Sequence, residues 1–219
     1  MKMRSLLRAL PLAAGMLLTA CAGSPPVRYH SLQNTLSLES LGAPRDQALP
    51  FQIEVLPVNM AAQADHPQLM VRGADGAVTP WYSERWTASL AEELQAALSD
   101  TLSTMLGVVD VQTIRPAAGA PLWRIQTDVR RFELQPGVQA LLELTWRVLP
   151  VNTPGVGLLC RTTVRVSTSG VDALALVDAQ QQAVHLLGMT LALALRAGGQ
   201  GAQAAAPQVE VQACQEIKS

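Results

Sequence analysis

Leu122 to Leu149 read LWRIQTDVRRFELQPGVQALLELTWRVL, and the parity of their apolar side chains decides the fold. Trp123, Ile125 and Val129 share one side of an extended chain, whereas Phe132 and Leu134 fall on the other. Side chains alternate strictly along a strand, so a single apolar face needs one inserted residue, and a β-bulge near Arg130 and Arg131 supplies it. Gln135-Pro136-Gly137 turns the chain. Beyond it Val138, Ala140, Leu142, Leu144, Trp146 and Val148 alternate with Gln139, Glu143, Thr145 and Arg147. The two runs make a long antiparallel hairpin with one apolar and one wet face.

Downstream, a loop at Pro150 to Gly155 leads to a third long strand, in which Val156, Leu158, Cys160, Val164 and Val166 oppose Arg161, Thr163 and Arg165. Cys160 therefore points into the core. On the polar face Glu143 or Glu133 is expected opposite Arg161 or Arg165. Asp172 can cap a last helix running to Arg196 and closed by Gly198 and Gly199. Its second half, AVHLLGMTLALALRA, is apolar nearly all round. Too short to cross a bilayer and carrying His185 and Thr190, it reads either as a helix buried against the sheet or as one packing against another subunit. Gly199 to Pro207 reads as a flexible linker and Val209 to Cys214 as a short apolar tail.

Upstream, Phe51, Ile53 and Val55 of FQIEVLPV mark a half-buried strand, Val27 to Leu32 a shorter one, and Leu69 to Arg72 with Ala77 to Trp81 a hairpin around Gly73-Ala74-Asp75-Gly76. Trp86, Leu90, Leu94, Leu98, Leu102 and Met105 recur every three or four residues. They predict an amphipathic helix from Ser83, its N-cap, to Leu106, stopped by Gly107, with Glu92, Glu93 and Asp100 on its solvated face. A strand is expected at Val108 to Ile114. Antiparallel strands punctuated by two helices give an α+β fold: one domain, with a mixed, mostly antiparallel sheet and two long helices packed on one face.

The chain opens Met1-Lys2-Met3-Arg4, then an apolar run from Ala9 to Leu18 and small residues. This is the layout of a secretory signal, and its apolar run falls short of the roughly 20 residues that a spanning helix needs. Leu18-Thr19-Ala20-Cys21 resembles the bacterial lipobox, in which Cys21 becomes the acylated first residue. The competing reading is an ordinary cleaved signal followed by an incidental cysteine. Ala22, where an aspartate would signal retention, implies the outer membrane under the lipoprotein sorting rule. Residues 1–20 are thus the leader, 21–26 a tether, 27–198 the α+β domain, and 199–219 linker and tail.

Of the 16 Lys and Arg, three leave with the leader, so 13 face 17 acidic side chains in the mature chain. No basic field is present to hold nucleic acid. With Cys21 acylated, Cys160 and Cys214 are left in an oxidising compartment, either as a disulfide or as two separate buried thiols. His30, His66 and His185 show no metal-ligand spacing, and no nucleophile elbow or phosphate-cradling glycine loop occurs. A non-catalytic protein without cofactor or metal is expected.

Ser24-Pro25-Pro26-Val27-Arg28-Tyr29-His30-Ser31-Leu32 after the lipobox, Val55-Leu56-Pro57-Val58, His66-Pro67-Gln68-Leu69-Met70-Val71-Arg72 and Trp81-Tyr82-Ser83-Glu84-Arg85-Trp86 resemble, in order and spacing, the ABC-type transport auxiliary lipoproteins of the PqiC group. His30 stands where that group more usually has tyrosine. The resemblance implies an accessory subunit of a system moving lipids or other hydrophobic molecules across the periplasm. Such a subunit sits on the periplasmic face of the outer membrane and docks the tunnel of an MCE-domain partner there, with a homo-oligomeric ring as one expected form. Trp81, Tyr82, Arg85 and Trp86 combine aromatic anchors with a guanidinium and are the candidate partner interface, unless Trp86 is core and Tyr82 a strand end. The competing functions are a general envelope-assembly or secretion lipoprotein with a TolB-like domain, and a carrier of apolar ligands.

Overall fold

The computed structural model describes residues 25–33, 49–114 and 116–218; the leader and Cys21 lie outside them. The described elements are β1 (Arg28–His30), β2 (Gln52–Val55), β3 (Asn59–Met60), β4 (Gln68–Arg72), β5 (Val78–Trp86), α1 (Leu90–Leu106), β6 (Leu122–Gln135), β7 (Gln139–Val151), β8 (Gly157–Ser167), α2 (Ala173–Arg196) and β9 (Val209–Ile217). All nine strands join one sheet in the order β1-β5-β4-β6-β7-β8-β9, with β2 and β3 also on β6.

The hairpin β6–β7 is the spine. Its register slips between Val129 and Arg131, so that Val129 faces Leu144 while Phe132 faces Leu142. The inserted residue returns Phe132 and Leu134 to the apolar side, and both are buried. The other edge of β6 takes β2 at Leu122–Ile125, β3 at Asp128–Val129 and β4 at Leu134 in succession, all parallel, while β7, β8 and β9 follow antiparallel. Gly137, at φ 68°, makes the left-handed step of the β6–β7 turn. Trp146 is fully buried, and its Nε1 donates to Thr162 Oγ1 at 2.8 Å, which satisfies both polar groups in the core.

Both helices lie against the apolar face of the sheet, α2 over β6, β7 and β8 and α1 beside it over β2 and β3. They meet tightly at Gly188, where an added Cβ would stand 2.5 Å from Thr101 Cγ2. The apolar second half of α2 is core: Leu187, Leu191, Ala192, Ala194 and Leu195 are buried. Part of its remaining side is covered by the segment expected to be a flexible linker, while Leu193 stays exposed. Ala202 and Ala206 pack on the core, and the Ala205 N–H donates to Thr190 Oγ1 at 3.3 Å. Small residues allow that segment to lie close to the helix. The tail beyond it is the edge strand β9, paired with β8 from Val209 opposite Val164 to Ile217 opposite Gly157.

Two further expectations are corrected. Ser83 is no helix cap: β5 continues to Trp86, and α1 starts at Leu90 behind Ser89, whose hydroxyl accepts from the Glu92 N–H while the Glu92 carboxylate accepts from the Ser89 N–H. Val108 to Ile114 forms no strand, only the single bridge Ile53–Asp110. Among the described residues no helix is long and apolar enough to cross a membrane.

Candidate functional site

The segment that follows the tether is fastened into the fold by two buried carboxylates. β1 pairs in parallel with the end of β5, which sets Arg28 opposite Glu84 and His30 opposite Trp86. Glu84 Oε1 accepts from Arg28 Nε at 2.9 Å and from Arg28 Nη2, and its Oε2 lies 2.6 Å from His30 Nε2. Only 6% of Glu84 is exposed. Burial by itself would raise the pKa of this carboxyl, but the hydrogen bonds from Arg28 and His30 outweigh it and hold the group below the ordinary value.

Immediately after β1, Glu93 takes over. Its Oε2 accepts from Ser31 Oγ at 2.7 Å and from the Leu32 N–H at 2.8 Å, and its Oε1 accepts from Thr87 Oγ1. Gln181 of α2 donates to the Ser31 carbonyl at 2.8 Å, the Thr87 N–H donates to the His30 carbonyl at 2.9 Å, and Leu32 is sealed in the core. Glu93 was expected on a solvated helix face and is instead buried. Two hydrogen-bond partners of its carboxylate, Ser31 and Leu32 just after β1, stand about sixty positions away, beyond the reach of helical periodicity.

The four candidate interface residues separate. Trp86 is 4% exposed and meets Phe132 edge to face, with ring centroids 6.0 Å apart, so its side chain is core and unavailable to a partner. Trp81 packs partly against the same core, Arg85 is half-buried, and Tyr82 is 71% exposed. Tyr29, exposed and paired in register with Arg85, joins Tyr82 as an accessible aromatic on this edge.

The open face of the sheet is charged and internally balanced. Arg124 meets Glu54 at 2.6 Å, Arg161 meets Glu143 at 3.5 Å and Arg165 meets Glu210 at 3.1 Å. Glu133 lies between Arg72 at 3.1 Å and Arg131 at 3.0 Å, and although burial pushes its pKa up, the hydrogen bonds from Arg131 and Gln135 pull it below the ordinary value. In the structure Cys160, fully buried, is disulfide-bonded to Cys214 on β9, across the register slip between Leu159 and Arg161. His66 sits in an exposed loop, and burial lowers the pKa of His185. No group of three or more metal-ligating side chains forms among the described residues.

The profile of the family described as ABC-type transport auxiliary lipoprotein component matches residues 35–192. The chain belongs to this family. The match takes in Glu84 and Glu93 and stops within α2, so the segment carrying Arg28 to Leu32, the cover over α2 and β9 lie outside it. As a transport auxiliary lipoprotein, the chain is a component of an ABC-type system of the cell envelope. No curated protein matches it. Among the solved structures that share the fold are two that follow. An uncharacterized protein, at 11% identity and TM-score 0.62, aligns over 78% of this chain and 99% of its own. Protein XCC0632 from Xanthomonas campestris, at 21% identity and TM-score 0.57, aligns over 80% and 94%.

Proposed function

We propose that this auxiliary lipoprotein is anchored through an acylated Cys21 to the periplasmic face of the outer membrane and there docks the tunnel of an MCE-domain partner, without catalysing a reaction itself. The observation that carries this reading is the double carboxylate clamp on residues 28–32, because the segment that leaves the tether is tied to β5 through Glu84 and to α1 through Glu93. The six residues 21–26 reach about 20 Å at most when extended. A short leash joined to a fastened strand keeps the domain at the membrane and passes tension into the sheet. An MCE-domain protein then has a fixed platform, and Tyr82 and Tyr29 offer exposed aromatic contacts on the anchored edge.

Crosslinking in living cells followed by affinity purification from detergent-solubilised envelopes tests it, with Cys21→Ala as the control. An MCE-domain protein recovered with the parent chain, and reduced or mislocalised with the control, is the expected outcome. Recovery of only peptidoglycan-associated or secretion components would sink the lipid-transport role. Native mass spectrometry of the same material reads whether the docking form is a ring.

A further inference from the structure

Four of the exposed aliphatic side chains collect at one end of the molecule. Val138 follows the β6–β7 turn, and Val171 and Leu174 flank the cap of α2; their exposures are 59%, 66% and 59%. The loops that carry them touch: the Gly137 N–H donates to the Gly170 carbonyl at 3.1 Å, the Thr168 N–H to the Val138 carbonyl at 3.4 Å, and a Cβ on Gly137 would stand 3.3 Å from Val171 Cγ1. The chain enters beside them. β1 runs parallel to β5, away from the β4–β5 turn, which lies on the side of the β6–β7 turn because Val71 pairs with Leu134, and just beyond β1 the Ser31 carbonyl accepts from Gln181 of α2. Val27, 44% exposed, and Pro26 therefore lie at the helix's capped end.

We infer that Val27, Val138, Val171 and Leu174 form a tip that inserts into the lipid surface carrying the protein's own acyl anchor. This rests on Cys21 being acylated, as proposed above. The occupant follows from the length of the leash: Cys21 is six residues from Val27, so its Cα lies within about 20 Å of the domain's entry point. At that distance the tip faces the headgroups at high effective concentration. Branched aliphatic side chains at loop ends, without a basic cluster, suit the apolar boundary of the headgroup layer more than an anionic surface. The opposite end serves as the internal control. Val109 is also exposed, yet it adjoins the Ile53–Asp110 bridge, and Ile53 pairs with Trp123 at the start of β6, a strand length away of roughly 40 Å.

The test uses the full-length lipoprotein reconstituted in phosphatidylcholine vesicles whose acyl chains carry bromine near the headgroup, with Leu174→Trp and Val109→Trp read against the parent chain. The added emission of Leu174→Trp should fall roughly twofold on bromination, as for a side chain about 5–10 Å into the interface, and that of Val109→Trp should not change. Vesicle flotation and the intact mass report the anchor separately. Floating, acylated protein with neither tryptophan quenched would overturn the tip while leaving the anchor standing, and equal quenching at both ends would overturn it too. A chain without acyl mass that stays off the vesicles would overturn the anchor, and the tip with it. Concentration-dependent shielding of Leu174→Trp from iodide without lipid would assign the tip to a second copy instead and overturn the lipid assignment.

Discussion

At the scale of single residues, the clamp depends on two carboxylates held out of water. Glu93 is the acceptor for the Leu32 N–H, a backbone donor in the core. Removing an acceptor and leaving such a donor unpaired costs about 1–3 kcal/mol. Glu93→Ala should therefore lower the unfolding free energy by that much, seen as a lower urea midpoint at an unchanged slope, and an unaltered midpoint would show that the donor finds another partner. Glu84 makes a prediction in pH. Its folded pKa lies below the ordinary 4.5, so the stability it contributes is present above pH 4.5 and lost as pH falls through the lowered folded value. Melting curves from pH 7 downward should show the parent losing part of its margin over Glu84→Gln below pH 4.5. A parallel fall of both chains across that range would remove Glu84 as a source of the dependence.

At the scale of elements, the hairpin from Leu122 to Leu149 was legible because a strand's period of two is rigid, so that a slip in parity at Arg130–Arg131 had to be a bulge. The start of α1 was not, since Trp86 stands four residues before Leu90 and satisfies helical spacing while lying on β5. The box of Ser89 and Glu92 was the better signal, and its physics is local. Glu93 and β9 escaped for the opposite reason: their partners are remote, and a Gly/Ala/Gln-rich stretch reads as linker until the helix it covers is in place. The contact between helices is sharp enough to test. Gly188→Ala should cost about 1–3 kcal/mol by overpacking against Thr101, and Thr101→Ala should recover part of it in the double variant. Additive losses would mean that the helices do not meet through these two atoms. For β9, Cys160 and Cys214 are 54 positions apart, and in the chain-entropy model such a bridge contributes about 4 kcal/mol. Cys214→Ala should reproduce the loss caused by dithiothreitol and make the protein insensitive to it. Sensitivity that persists in the variant would place the effect elsewhere.

At the scale of the whole molecule, the two faces of the sheet and its two ends divide the work. One face is spent on α1, α2 and the segment that covers α2, while the other carries ion pairs that balance one another, which leaves the ends and edges for contacts. The tether, the aliphatic tip and the exposed tyrosines of β1 and β5 all belong to the entry side of the domain, so anchoring and orientation are one mechanical problem. If the leash sets the orientation, its length is the variable that matters. About 20 Gly and Ser residues inserted between Ser24 and Pro25 would add a coil with an end-to-end distance of roughly 25 Å, and the effective concentration of the tip at the lipid would fall steeply. The acyl anchor and the clamp would be untouched. Bromolipid quenching at Leu174→Trp should then drop toward that at Val109→Trp, and crosslinking to the MCE-domain partner should weaken in parallel, while flotation stays complete. Quenching lost with crosslinking intact would separate the tip from docking, and quenching unchanged would mean that the tip binds lipid without help from the leash.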